Sequence, residues 1–548
     1  MVFAWLVSAS AQDVSTSGTF RTEGRYYFSD RVLDDFPEQQ RLYDYAEVVG
    51  RLNLLADDGV WQVGTQVDGV GMFWNYYYLD DVKTYEFDLL GEGAGSAVDS
   101  GFANIEKVWL TRRFIHGRLQ LGDGYASFGR GLALNIVKNT DIDVDTSIVG
   151  AKTTVTRNDW DLQVIAGLSN EQQVLQDNPN RQVRGNRYHL VSGVRIDRWG
   201  LGPANIGVHG VAVELADTLD AEKPFASIGE LGDGGFDALV AGATAELYAA
   251  GVDWFFEGDA YRYAEPLMFA TGEVEPGYAA YGSASFYPGP LAVLLEAKRY
   301  KNTERVNAIT VGEGYELMVG PTLEYERVIT EDSSAAINSN DIWGGRARVN
   351  LSLKKGKAVP YVALGAYRDL ELGGLHFNRA PETIVHPVVG LDLVGGVHTL
   401  LLNSGYRVDL RDEDFGRDRL AHIDATWAFP LPKHLHGEVI WDAYSFQWGD
   451  NAIQQHDFVT SSLALAGFTE GGWAFVLYND WTNDPLVDST GNITDQTYLA
   501  GEVQWQPTDS TTLKGFYGAY KAGIRCAGGQ CKRLPGFEGA RVTATIAF

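Results

Sequence analysis

The chain has 548 residues, a formal charge of -28, 12% aromatic residues, 63 glycines and two cysteines. No apolar run reaches the roughly 18 residues that a spanning helix needs, and so acidic a chain is poorly equipped to displace counterions from a phosphate backbone. A helical membrane protein is excluded and a nucleic-acid partner is argued against, which leaves several soluble domains or one large β-barrel.

Residues 1–11, MVFAWLVSASA, join a short apolar run to Ala9-Ser10-Ala11, the small-residue pattern of a signal-peptidase site. A positively charged start is missing. The segment reads as a signal peptide with a truncated or misassigned start, the alternative being an apolar tail, and residues 12–548 then form a single barrel. No soluble domain, TonB box or plug is recognisable ahead of the first strand, which argues against an active transporter.

From there, strand-like segments of about ten residues follow one another, joined alternately by short and by long connections, as in transmembrane barrels with tight periplasmic turns and longer outside loops. The short ones are Asp57-Asp58-Gly59, His116-Gly117, Asn158-Asp159, Trp199 to Pro203, Ala250-Gly251, Tyr287 to Pro290, Lys354 to Lys357, Gly395-Gly396, Pro430 to His434, Glu470 to Gly472 and Pro507 to Ser510. Gly, Pro, Asn and Asp punctuate them, as turns require. Two predicted outside loops, Asp123 to Thr146 and Asn302 to Asp341, are large enough to fold inward.

Alternation with a period of two marks the strands. Trp61, Val63 and Val67 oppose Gln62, Gln66 and Asp68; Val252, Trp254, Phe256 and Ala260 oppose Asp253, Glu257 and Asp259; Trp343, Ala347, Val349, Leu351 and Leu353 oppose Arg346, Arg348, Asn350 and Ser352; Leu499, Val503 and Trp505 oppose Glu502, Gln504 and Gln506. The apolar face suits lipid and the polar face suits a lumen. Alternation alone yields about 25 strands, whereas bacterial single-chain barrels are even in number. The weakest candidate is Tyr315 to Val328, interrupted by Pro321. Without it the reading is an all-β, single, antiparallel up-and-down transmembrane barrel of about 24 strands, with 22 and 26 as neighbours.

The last segment, FEGARVTATIAF, sets Glu538, Ala540, Val542, Ala544, Ile546 and Phe548 against Arg541, Thr543 and Thr545. It resembles the closing strand of Gram-negative outer-membrane barrels. That resemblance implies an outer-membrane location and a terminal Phe548 read by barrel-insertion machinery.

Gly122 to Gly150 is the most distinctive internal stretch. Its glycines lack the βαβ context and the lysine of a phosphate loop. Gly122, Asp123, Tyr125, Phe128, Gly129, Gly131 and Leu132 instead match a Gly-Asp-x-Tyr-x-x-Phe-Gly-x-Gly-Leu run. With Glu296-x-Lys298-x-Tyr300, Pro321-Thr322-Leu323 and the Cys526-Ala-Gly-Gly-Gln-Cys531 ending followed by Pro535 and Gly539, the chain resembles an uncharacterised family of large outer-membrane barrels known mainly from Bacteroidota. The resemblance implies a fold and no activity.

Cys526 and Cys531, separated by four residues of which two are glycine, can close a small disulfide loop in an oxidising compartment. A redox site would want C-x-x-C, and zinc would want two further ligands. Asp141, Asp143 and Asp145 are weak candidates for a hard cation such as calcium, but the EF-hand glycine and glutamate are missing, so no metal is assigned. The acidic Asp412-Glu413-Asp414 with Asp418 reads as a solvated loop. No G-x-S-x-G or H-E-x-x-H occurs, so neither an enzyme nor a cofactor is expected.

The composition and pattern favour a channel for small polar solutes, its lumen carrying Arg346, Arg348, Lys298, Arg541, Asp253, Glu257 and Glu502. Mixed charge of this kind suits polar solutes better than bare ions. The alternative is a structural barrel that binds an unidentified protein in secretion or surface assembly. Outer-membrane lipid is the expected surrounding in either case.

Overall fold

The structure is a computed structural model that describes residues 14–28, 45–74, 99–138, 145–170, 189–214, 238–263, 276–301, 303, 315–316, 342–369, 382–411, 417–432, 435–447, 457–483, 496–521, 523–527, 530–534 and 537–548. The proposed signal segment, Asp141, Asp143, the 412–414 acidic loop and most of 302–341 lie outside the described residues.

A sheet of 24 strands, each antiparallel to its neighbours, closes on itself. The first strand, Ser15–Tyr27, pairs along its length with Tyr45–Asp57 on one side and from Thr19 to Tyr27 with Phe537–Ala547 on the other. Phe548 completes the seam by exchanging main-chain hydrogen bonds with Gly18, at 2.7 and 2.9 Å. A closed ladder leaves no edge, which is what a sheet needs in order to stand in hydrocarbon where no water can satisfy an unpaired amide.

All eleven predicted short turns fall between consecutive wall strands, at the end of the barrel that also carries the seam's termini. Tyr315–Glu316 is not a wall strand. It pairs with Gln530–Leu534, which itself forms a hairpin with Gly523–Ala527, in a separate three-stranded sheet. Removing that segment from the wall is what makes the strand number even.

The outer surface is apolar because alternate residues point outward with nothing above them. Val542, Leu477 and Leu499 are each 64% exposed. Near the short turns the outward side chains become aromatic, with Trp473 stacked on Trp505 at 5.3 Å and Trp254 on Phe256 at 6.1 Å. Tyr26, Phe28 and Tyr517 gather at the opposite end. Two aromatic belts bracketing an apolar band match the two interfaces of a bilayer. The protein is thus a transmembrane β-barrel of the outer-membrane type.

Candidate functional site

Between Gly117–Gly124 and Ser147–Arg157, which are adjacent in the wall, the chain leaves the sheet and folds into the lumen. The departure is built by Gly122 and Asp123. Gly122 has φ +91°, and a Cβ there would overlap the carbonyl of Val108, so only glycine lets the strand press so close to its neighbour. That neighbour is bulged: Gln66 pairs with Lys107 and Val67 with Ile105, leaving Glu106 opposite nothing. Asp123 ties the bulge to both ends of the excursion. Its carboxylate accepts from the Val108 amide at 2.7 Å, the Ser147 hydroxyl at 2.8 Å and the Asn170 amide at 2.8 Å.

The return is held by Asp145, a buried carboxylate before the next wall strand. Lys107 and Lys138 reach it at 2.5 and 2.7 Å, and the Tyr125 hydroxyl donates to it. Burial pushes the Asp145 carboxyl up, but the two ammonium groups outweigh that and hold it below its ordinary value. Burial and the same carboxylate push the Tyr125 hydroxyl far up, keeping it a neutral donor. Asp145, a weak calcium candidate by sequence, is thus committed to two lysines, with Arg51 a further 3.9 Å neighbour.

Inside the lumen the excursion forms a small hairpin, Ala126–Phe128 against Leu134–Ile136, with Gly131 N donating to Phe128 O at 3.0 Å. Phe128, Leu132, Leu134 and Ile136 are fully buried against inward side chains of the wall, among them Val191, Val211, Val240 and Tyr261. Each such side chain stabilises the inward seat by about 1.5–3 kcal/mol. The polar-inward rule fails on this arc because the hairpin, rather than water, covers it. Strands Ala204–Glu214 and Ala238–Ala249 carried a readable sign of this, since both of their faces are rich in Val and Ala.

Three polar contacts pin the hairpin tip. Arg130 N donates to Glu257 Oε2 at 2.8 Å, the Tyr261 hydroxyl donates to Leu132 O at 2.9 Å, and the Arg130 guanidinium lies over the rings of Tyr281 and Phe255 at 4.8 and 5.4 Å. At Gly129, φ +60°, a Cβ would overlap the Glu257 carboxylate. Beside the tip is a polar cavity of about 260 Å³ lined by Arg130, Arg195, Asp197, Thr244, Glu246 and neighbouring backbone. Behind Glu257, and missed by the sequence reading, stand His209 and Asp259, joined Nε2 to Oδ1 at 2.6 Å.

Of the lumenal residues read from sequence, Glu257 is the one that the contacts among the described residues tie to the hairpin. Arg346 pairs with Glu296; Arg348 donates to Asn350 at 2.7 Å and covers the Tyr361 ring; Lys298 lies 4.8 Å from the Tyr367 ring. Arg541 and Glu502 come within 3.9 Å of each other, and Asp253 is exposed beside the Ala250-Gly251 turn. Elsewhere on the wall Arg25–Glu23, Arg195–Asp197 and Arg407–Asp409 pair at 2.5, 2.8 and 2.8 Å, each across two positions of one strand. Period-two geometry places such residues side by side on the inward face, so opposite charges neutralise locally instead of segregating to two sides of the lumen. Cys526 and Cys531 stand directly opposite each other in the outside hairpin.

No protein-family model matches the sequence, and no curated protein does. Solved structures similar to it include the translocation pore of the P pilus usher PapC, with 8% identity, TM-score 0.43 and coverage of 97% of this chain and 99% of that one. The siderophore receptor PirA from Pseudomonas aeruginosa shows 8% identity, TM-score 0.45 and coverage of 98% and 82%. The outer membrane protein opdK from Pseudomonas aeruginosa shows 10% identity, TM-score 0.37 and coverage of 75% and 98%. These likenesses add nothing to what the closed ladder establishes by itself.

Proposed function

We propose that the barrel is a channel for small polar solutes and that the hairpin of residues 126–136 is its constriction. The supporting observation is the hairpin itself, clamped at Asp123 and Asp145 and packed into the lumen through Phe128, Leu132, Leu134 and Ile136. A wall of 24 strands encloses a lumen wide enough to fill with water unless something occupies it. An inward loop narrows such a lumen without closing the sheet on itself. The locally neutralised ion pairs along the wall offer donors and acceptors of both signs, which suits uncharged or zwitterionic solutes better than bare ions. Lipid covers the outer face, and Phe548 at the seam is the residue offered to insertion machinery.

Single-channel conductance in a planar bilayer tests this. The full chain should give discrete steps, and replacing residues 126–136 by a short Gly-Ser linker should raise the conductance at least about twofold, as expected when a lumenal loop limits the pore. Absence of steps from both proteins would refute the channel and favour the structural, partner-binding reading.

A further inference from the structure

We propose that His209, Glu257 and Asp259 form a binding site for a divalent cation of the zinc class, set into the barrel wall directly behind the hairpin tip. The three residues come from two neighbouring positions on Val252–Tyr263 and from Ala204–Glu214, whose strand is separated from it by Ala238–Ala249 alone. One ligand atom from each lies within 4.8 Å of the others. All three are buried, and the side chains of His209 and Asp259 are wholly so.

What points to a ligand is the set of atoms left without partners. His209 Nδ1, Glu257 Oε1 and Asp259 Oδ2 are each buried with no hydrogen bond. A buried unsatisfied polar atom costs about 1–3 kcal/mol, more when charged, and three in one cluster are unusual in a folded protein. The nearby cations are engaged elsewhere, Arg130 over the Tyr281 and Phe255 rings and Arg195 on Asp197. A dication would neutralise two carboxylates at once.

Glycine is what lets the donor atoms come together. At Gly242 on the intervening strand a Cβ would overlap both Asp259 Oδ1 and His209 Nε2, and at Gly129 on the hairpin one would overlap Glu257 Oε1, so any other residue at either place would push the cluster apart. One imidazole with two carboxylates is a mixed N/O set that suits zinc and its neighbours in the first transition row, whereas calcium prefers an all-oxygen shell of six to eight ligands. Three protein ligands leave a four-coordinate ion one further position to fill. Because Arg130 N already holds Glu257 Oε2, a bound cation would brace the carboxylate on which the tip rests. The site does not depend on the channel reading, and its test involves no conductance.

The test is calorimetric titration of chelator-treated, full-length protein in detergent with zinc chloride and, separately, calcium chloride. Zinc should bind at about one equivalent. His209→Gln and Asp259→Asn should each weaken that binding at least about tenfold, since even residues that merely orient a ligand cost that much, while His398→Gln, at an exposed periplasmic turn, should leave it unchanged. Heat-modifiable mobility on a gel verifies that each variant is a folded barrel, and Glu257→Gln replaces any variant that is not. No zinc binding by the unaltered protein, undiminished binding by the cluster variants, or calcium binding as tight as zinc would each overturn the proposal.

Discussion

Leu364→Arg puts a charge on the lipid face at a depth that the structure defines. Leu364 is 50% exposed on the outer surface and stands in Ala358–Asp369, whose first residue follows the short Lys354 to Lys357 turn. Six residues at about 3.3 Å each give roughly 20 Å along the strand, and a tilt near 40° reduces that to about 15 Å of height. The apolar band of such barrels is about 25 Å tall, so this position is within a few ångströms of the midplane and the arginine should cost about 2–4 kcal/mol. Leu351 also points outward but ends its strand beside the Lys354 to Lys357 turn, so Leu351→Arg should cost only about 0–1 kcal/mol because the guanidinium can reach the interface. Asn350→Arg, on the lumenal face where it can be hydrated, should be similarly mild. Urea titration of the barrel folded into lipid vesicles, read by heat-modifiable gel mobility, measures the three. Equal losses for Leu364→Arg and Leu351→Arg would refute the depth argument, and an Asn350→Arg loss as large as that of Leu364→Arg would refute the assignment of faces.

Sidedness is checked by epitope tags on intact cells. A tag at Asp414, in the connection between His398–Arg411 and Arg417–Leu431, should be reached by antibody, and one at Gly395-Gly396, at the end bearing the seam, should not; the reverse pattern would invert the topology. For the cysteines, the facing backbone positions of residues 526 and 531 suit a disulfide in an oxidising compartment, which we expect to form. So small a ring restricts the unfolded chain by only on the order of 2 kcal/mol, so the Cys526→Ser, Cys531→Ser protein should still insert and resist heat. Free alkylation of both thiols in native protein would contradict the bridge, and failed insertion of the double variant would show that the hairpin matters more to assembly than its size implies.

The wall was legible in the sequence because its rules are local. A period-two alternation such as Trp343 to Leu353 needs only lipid on one side and water on the other, and a turn such as Asn158-Asp159 needs only the next two residues. The even strand number came from topology applied to sequence, and the structure agrees because Tyr315–Glu316 pairs outside the wall. The Gly-Asp-x-Tyr run could be recognised as unusual but not explained. Its meaning lies in Val108, Ser147, Asn170 and Asp145, which chain separation hides and the closed sheet brings together. Strand Ala204–Glu214 showed apolar residues on both faces, yet nothing local says what would cover the inner one. The His209–Glu257–Asp259 cluster is the extreme case. In the sequence Glu257 and Asp259 are two acids on one polar face, two positions apart, and nothing marks His209 out within ANIGVHGVAVE. Only the register of Ala204–Glu214 and Val252–Tyr263 against the strand between them sets the three at one level, and only the inward fold of the hairpin shields them from water.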